Sequence, residues 1–234
     1  MNPKLVLALT GASGAPYAIR LLEVLLATGR DVHLCISESG KAVLEQELGL
    51  VVNLDRFNQD ALLPNFDQID ADQTLRLLRN EAGVSSGASN VFSSMGKEMG
   101  RVTYHHYKNM MAPIASGSCL TEGMVICPCS GSTLSAIAHG SSSNLIQRAA
   151  DVHLKERRKL ILVPRETPLS IVNLDNMRKC VEAGAIVLPA MPGFYHEPKS
   201  VQDLVDFIVG RICDQLGIQN ALISRWGENK RPTR

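Results

Sequence analysis

The sequence predicts a three-layer α/β/α domain built on a doubly wound, mostly parallel sheet. Three observations carry that expectation. Apolar, β-branched runs alternate with segments of helical period. Turns rich in glycine and small hydroxyl residues follow several of those runs. The length of 234 residues is enough for one ordinary α/β domain with a real core.

The elements follow in order. Leu5 to Leu9 reads as a buried strand, and Thr10-Gly11-Ala12-Ser13-Gly14 follows it. A helix starts near Pro16, where proline suits the first turn, and runs through Ile19, Leu22, Leu25 and Leu26. Val32 to Ile36 is a second strand, with Lys41 to Leu48 as its helix. Met124 to Cys127 is a third strand, followed by a helix over Leu134 to Ala138. Leu160 to Val163 and Ile186 to Leu188 supply two more strands, and Ile171 to Ala183 and Val201 to Leu216 the last long helices. The rhythm fails between about 51 and 112. Asn80 to Gly100 is rich in Gly, Ser and Asn there, a composition that favours a mobile excursion such as a lid or an interface arm. We read residues 1–226 as a single domain with that excursion, and 227–234 as a polar tail.

Composition excludes several classes. A hydrophobic fraction of 45% and a charged fraction of 20% are those of a soluble globular protein. A net charge of +1 argues against nucleic acid or a membrane surface as partner. Leu5 to Leu9 is too short for a signal segment, and no stretch is long enough to span a bilayer. The six scattered cysteines show no zinc-like spacing, so a reducing cytoplasm and no metal are expected. Cys127 and Cys129 are expected to point to one side of their strand as buried packing. His105-His106 is expected on the surface.

In open α/β sheets, ligands bind beyond the carboxyl ends of the strands. Those ends deliver Gly11-Ala12-Ser13-Gly14, Ser37, Ser130-Gly131-Ser132-Thr133, Arg165-Glu166 and Phe194-Tyr195-His196. Small hydroxyls and glycines at three ends, with an Arg-Glu pair at a fourth, form a polar ring able to take a monophosphate. A tight structural turn explains the first loop equally well. Arg148, Asp151, Lys155 and Arg158 recur at helical spacing over Asn144 to Arg158, either as a solvated face or as a cationic wall for a phosphate. Arg211 follows Leu204 and Ile208 on the edge of an apolar stripe, so its guanidinium is expected to be partly buried. Glu47 alone reads as a surface carboxylate, and Trp226 as a packing anchor or a ring facing a developing cation.

Seven segments in order resemble the UbiX flavin prenyltransferase family: Leu9 to Ala15, Ile114 to Ser118, Pro128 to Ser130, Arg148 to Asp151, Leu154 to Arg158, Val163 to Pro168 and Pro192 to His196. The resemblance runs from the first strand to Trp226, apart from the middle excursion. It implies a flavodoxin-like, Rossmann-like fold and transfer of dimethylallyl from dimethylallyl monophosphate to N5 and C6 of reduced FMN, without a metal. The product, prenylated FMN, then serves a UbiD-type decarboxylase. By the same resemblance, Gly11, Ala12, Ser13, Ser37, Ser130, Gly131, Ser132, Thr133 and Arg165 hold FMN. Arg148, Lys155, Tyr195 and Arg211 surround the substrate phosphate. Glu47 and Glu166 move protons, Lys155 and Trp226 act at the reacting groups, and the chain assembles as a homo-oligomer, a dodecamer in this family.

Two rivals remain at this level. A flavin-dependent cysteine decarboxylase shares the fold and FMN, but the Arg165-Glu166-Thr167-Pro168 segment and the cationic set stand against it. A non-catalytic flavin carrier would keep the loops without needing Glu166 or Lys155.

Overall fold

The structure, a computed structural model, describes residues 2–63, 72–76 and 98–222. Six strands form one parallel sheet: β1 (Lys4–Leu9), β2 (Asp31–Ile36), β3 (Val102–Tyr104), β4 (Gly123–Cys129), β5 (Lys159–Pro164) and β6 (Ile186–Val187). Their spatial order is β3-β2-β1-β4-β5-β6, so the winding reverses between β1 and β4. That is the dinucleotide-binding order of doubly wound sheets, the Rossmann-like form of the expectation.

The helices are α1 (Ala15–Ala27), α2 (Glu38–Leu48), α3 (Gly131–Ala138), α4 (Leu145–Lys155), α5 (Ile171–Glu182) and α6 (Val201–Leu216). Strand side chains alternate between two cores. Leu5, Leu7, Leu9, Leu34, Ile36 and Ile161 pack against α1 and α6. Val6, Ala8, Cys35, Ile126 and Leu162 pack against α3 and α4. Burial on both faces explains why the strands read as continuous apolar runs.

Four details differ from the sequence reading. The edge strand β3 lies inside the expected excursion, pairing Val102, Thr103 and Tyr104 with Val32, His33 and Leu34. Three residues behind a Gly- and Ser-rich segment give no readable alternation. Nor is the excursion unpacked throughout: Val52, Leu54, Leu62, Leu63 and Leu75 are buried in the α1/α6 core. Positions 80–97, like the tail 227–234, lie outside the described residues. Cys127 and Cys129 are both buried but belong to opposite cores, because the β4–β5 register shifts between Ile126 and Cys129 and breaks the two-residue alternation. His105 is buried, with its Nε2 2.9 Å from Nδ1 of His33, while His106 lies 3.5 Å from Asp55.

Among the described residues, no helix is long and apolar enough to cross a membrane. All six cysteines are free.

Candidate functional site

The site starts at the β1/β4 reversal, where parallel strands with diverging crossovers leave a crevice. Thr10, buried just beyond β1, stitches the crevice together. Its hydroxyl donates to the Pro128 carbonyl at 2.8 Å and accepts from the Ser130 amide at 2.8 Å. Gly11 brings the first loop against α2: a Cβ there would fall 2.4 Å from Cβ of Ser39. Gly14 has φ of 128°, a conformation that favours glycine. These contacts gather Ser13, Ser37 and Ser130 around one opening.

Two of those serines cap helices. Ser37 accepts from the Gly40 amide at 3.0 Å, and Ser130 from the Thr133 amide at 3.4 Å. The Ser130 hydroxyl also meets those of Thr133 at 3.0 Å and Ser132 at 3.2 Å. Gly131 and Ser132 open α3, so their amides have no intrahelical acceptor and point towards the crevice end of the helix. From β5, Arg165 reaches the first loop and donates through Nε to the Ser13 carbonyl at 3.4 Å. The nine residues expected to hold a flavin therefore share one end of the sheet.

Glu47 is not the idle surface carboxylate that its helix suggests. From the last turn of α2 it accepts the Gly14 amide at 3.0 Å and the Ala15 amide at 2.8 Å. Helix α1 has no side-chain cap of its own, so a carboxylate from the next helix supplies one. Partial burial works to raise the Glu47 pKa, but the Ser13, Gly14 and Ala15 hydrogen bonds and nearby Arg165 hold it below the usual carboxylate range. The anion met by the first loop is this side chain. Sequence spacing could not reveal it, because the contact joins residues 33 apart.

Glu166 is exposed beside Arg165, its Oε1 accepting the Thr167 amide at 3.2 Å. Both residues line a cavity of about 220 Å³ with Leu169, Met177, Ala190 and Met191. A carboxylate at the mouth of an apolar cavity can exchange a proton with a bound group.

The expected phosphate-binding residues are spread along the sheet rather than gathered at this end. Arg148 donates through Nε to the Ala115 carbonyl at 3.1 Å and pairs with Asp151 at 2.7 Å. Lys155 ends α4 and pairs with Glu156. Arg158 is not on the helix face assigned to it: α4 ends at Lys155, and the guanidinium turns to the Cys119 carbonyl at 2.7 Å and to that of Gly117. Helix α4 runs antiparallel to the strands, so Lys155 lies at their amino ends. Arg165 lies beyond the carboxyl end of β5. The six residue steps from Lys159 to Arg165 separate the two poles by roughly 20 Å at about 3.3 Å per residue.

Tyr195 packs on α6, the helix that carries Arg211. The exposed Tyr195 ring meets Phe207 of α6 edge-on at 5.6 Å, and Arg211 follows Phe207 by one helical turn. Arg211 is 48% exposed and pairs with Asp214 at 2.9 Å, so the partial burial inferred from its apolar neighbours is not found. Its aliphatic stem borders the stripe while the head group turns outward. Trp226 lies outside the described residues.

Comparison with known proteins agrees with this architecture. The profile of the flavoprotein family matches residues 1–213. The chain is 44% identical over 225 residues to the flavin prenyltransferase UbiX of Pseudomonas aeruginosa, covering 96% of this chain and 94% of that protein. The structure of AnUbiX in complex with FMN and dimethylallyl pyrophosphate superposes with a TM-score of 0.74 at 32% identity, covering 98% and 100% of the two chains. A dodecameric FMN-dependent UbiX-like decarboxylase from Escherichia coli O157:H7 gives 0.72 at 33% identity, covering 95% and 98%.

Proposed function

Since the chain belongs to the UbiX family of flavin prenyltransferases, we propose that it transfers dimethylallyl from dimethylallyl monophosphate to N5 and C6 of reduced FMN. The product, prenylated FMN, is the cofactor of a UbiD-type decarboxylase partner. The observation that supports this reading most directly is the stitched crevice at the β1/β4 reversal. The α3 amides, the Ser130, Ser132 and Thr133 hydroxyls and Arg165 face it together. Such a set of donors fits a flavin phosphate.

When bound, reduced FMN supplies the nucleophilic ring nitrogen and carbon that accept the five-carbon group. In the transfer, the allylic C–O bond breaks and its electron pair leaves on phosphate. The bond to N5 replaces the N5 proton; protonation of the allyl double bond would then let its tertiary carbon bond to C6, with loss of the C6 proton. Lys155, Arg148, Arg211 and Tyr195 take the phosphate and balance its charge, a role that needs no metal. Trp226 faces the allyl group, where an aromatic ring stabilises positive charge. Of the two carboxylates, Glu166 is the better proton carrier. Glu47 is held ionised by its amide donors, whereas Glu166 is exposed at the cavity mouth and accepts one amide, that of Thr167.

One chain holds Lys155 at the opposite end of its sheet from the flavin residues. We therefore place the working site between copies in a homo-oligomer, and a dodecamer follows the E. coli relative. Residues 1–226 form one domain in this reading, and the enzyme acts in the cytoplasm.

Anaerobic incubation with reduced FMN and dimethylallyl monophosphate, read by mass spectrometry, tests the proposal. A flavin heavier by one prenyl unit is the expected product. An unchanged mass with FMN demonstrably bound points instead to the cysteine-decarboxylase or carrier reading.

A further inference from the structure

We propose that Glu47 is a positioning residue for flavin binding. Its carboxylate is the resident anion of the α1 N-terminus, shaping the first loop and leaving the flavin phosphate the amides at α3. The inference rests on the FMN reading above and adds a role that the family resemblance does not supply.

The geometry carries it. Helix α1 begins after Gly14, which has no side chain with which to cap the helix. Both amides that open the helix, Gly14 and Ala15, are bound by the Glu47 carboxylate, at 3.0 and 2.8 Å to Oε2. Amides at a helix N-terminus are the part of a strand–turn–helix unit that ordinarily takes a phosphate. A phosphate on the same donors would lie against the carboxylate, where like charges repel strongly.

Glu47 is also poorly placed for its own helix. It sits in the last turn of α2, which contains no basic residue, and a negative charge there opposes the helix dipole. The favourable partner is the positive end of α1. Arg165 completes the arrangement by bonding the Ser13 carbonyl at 3.4 Å, clamping the loop from the β5 side. Among the described residues nothing comparable occupies α3: its cap Ser130 serves the Thr133 amide and leaves those of Gly131 and Ser132 to a ligand.

The test uses full-length protein with FMN, and needs no turnover. Wild type is expected to bind FMN with one phosphorus resonance. Glu47→Ala weakens FMN binding on the order of tenfold to a hundredfold, through loss of charge-assisted hydrogen bonds. It also displaces or splits the resonance, because freed α1 amides now reach the phosphate. Should that variant not fold, Glu47→Gln keeps one acceptor oxygen without charge. Its FMN binding then falls about threefold to tenfold and the resonance moves part of the way, since half of the carboxylate's hydrogen-bonding capacity remains.

Wild-type affinity and resonance in either variant overturn the proposal. So does an equal loss of FMN and riboflavin affinity with an unmoved resonance, which is the behaviour of a helix cap alone. Failure of the wild-type protein to bind FMN would instead sink the flavin reading itself.

Discussion

Mixing two inactive variants should restore activity if the working site is shared between copies. Lys155→Ala removes a cation at the amino ends of the strands, and Glu166→Gln removes a proton carrier at their carboxyl ends. The poles lie roughly 20 Å apart along β5, about six steps of 3.3 Å, while a lysine side chain reaches only about a third of that distance. Each site then draws Lys155 from one copy and Glu166 from another. Equal co-expression gives each position an even chance of an intact residue, so about a quarter of the sites regain both in a symmetric oligomer with random mixing. Two affinity tags, one per variant, isolate the mixed assemblies, and prenylated FMN formed per flavin site is measured by mass spectrometry. Activity near a quarter of wild type supports the shared site. Mixed assemblies as inactive as either parent would refute it and return both residues to one chain.

The remaining predictions follow from single features. Glu166→Gln keeps FMN binding but lowers turnover at least about a hundredfold, the usual worth of a positioned acid or base; normal turnover by stopped flow removes Glu166 from the chemistry. Asp206→Asn leaves the buried Arg20 without its bidentate partner, at 2.7 and 3.3 Å, while Asp72 still binds it at 2.8 Å. Breaking a buried pair costs about 3–5 kcal/mol, and the surviving Asp72 contact reduces this to roughly 2–4; a loss under about 1 kcal/mol in urea unfolding contradicts the assignment. His33 has its pKa pushed down to about 4, first by burial and then by His105 and Lys4, with Asp31 opposing. A histidine neutral in the fold but free to protonate when unfolded contributes stability fully present above about pH 6.5 and lost as the pH falls towards 4. Partial exposure of the ring discounts the effect to about 1 kcal/mol, and the His33→Gln protein, compared with wild type at pH 7 and pH 4.5, should lack that part of the acid loss.

The sequence disclosed what is local and repetitive. Five of the six strands were readable as apolar runs, whereas the caps Ser37, Ser130 and Ser200, which start three of the helices, appear only in the structure. The polar ring at the strand ends was readable as a set of neighbours because strand ends in a parallel sheet converge by topology alone. What stayed hidden depends on contacts between distant residues. Thr10 gives no local signal that its hydroxyl joins Pro128 to Ser130, 118 and 120 positions away. His105 looks like a surface residue until His33 on the neighbouring strand closes over it. Glu47 shows the same limit at the heart of the site. Within its own helix it is an unfavourable charge in the last turn, and only the fold brings it to the amides that make the placement favourable. A local penalty offset by a distant partner is a pattern expected of a functional site. It is also why the Glu47 variants separate a positioning role from a purely chemical one: FMN affinity responds to the first and not to the second.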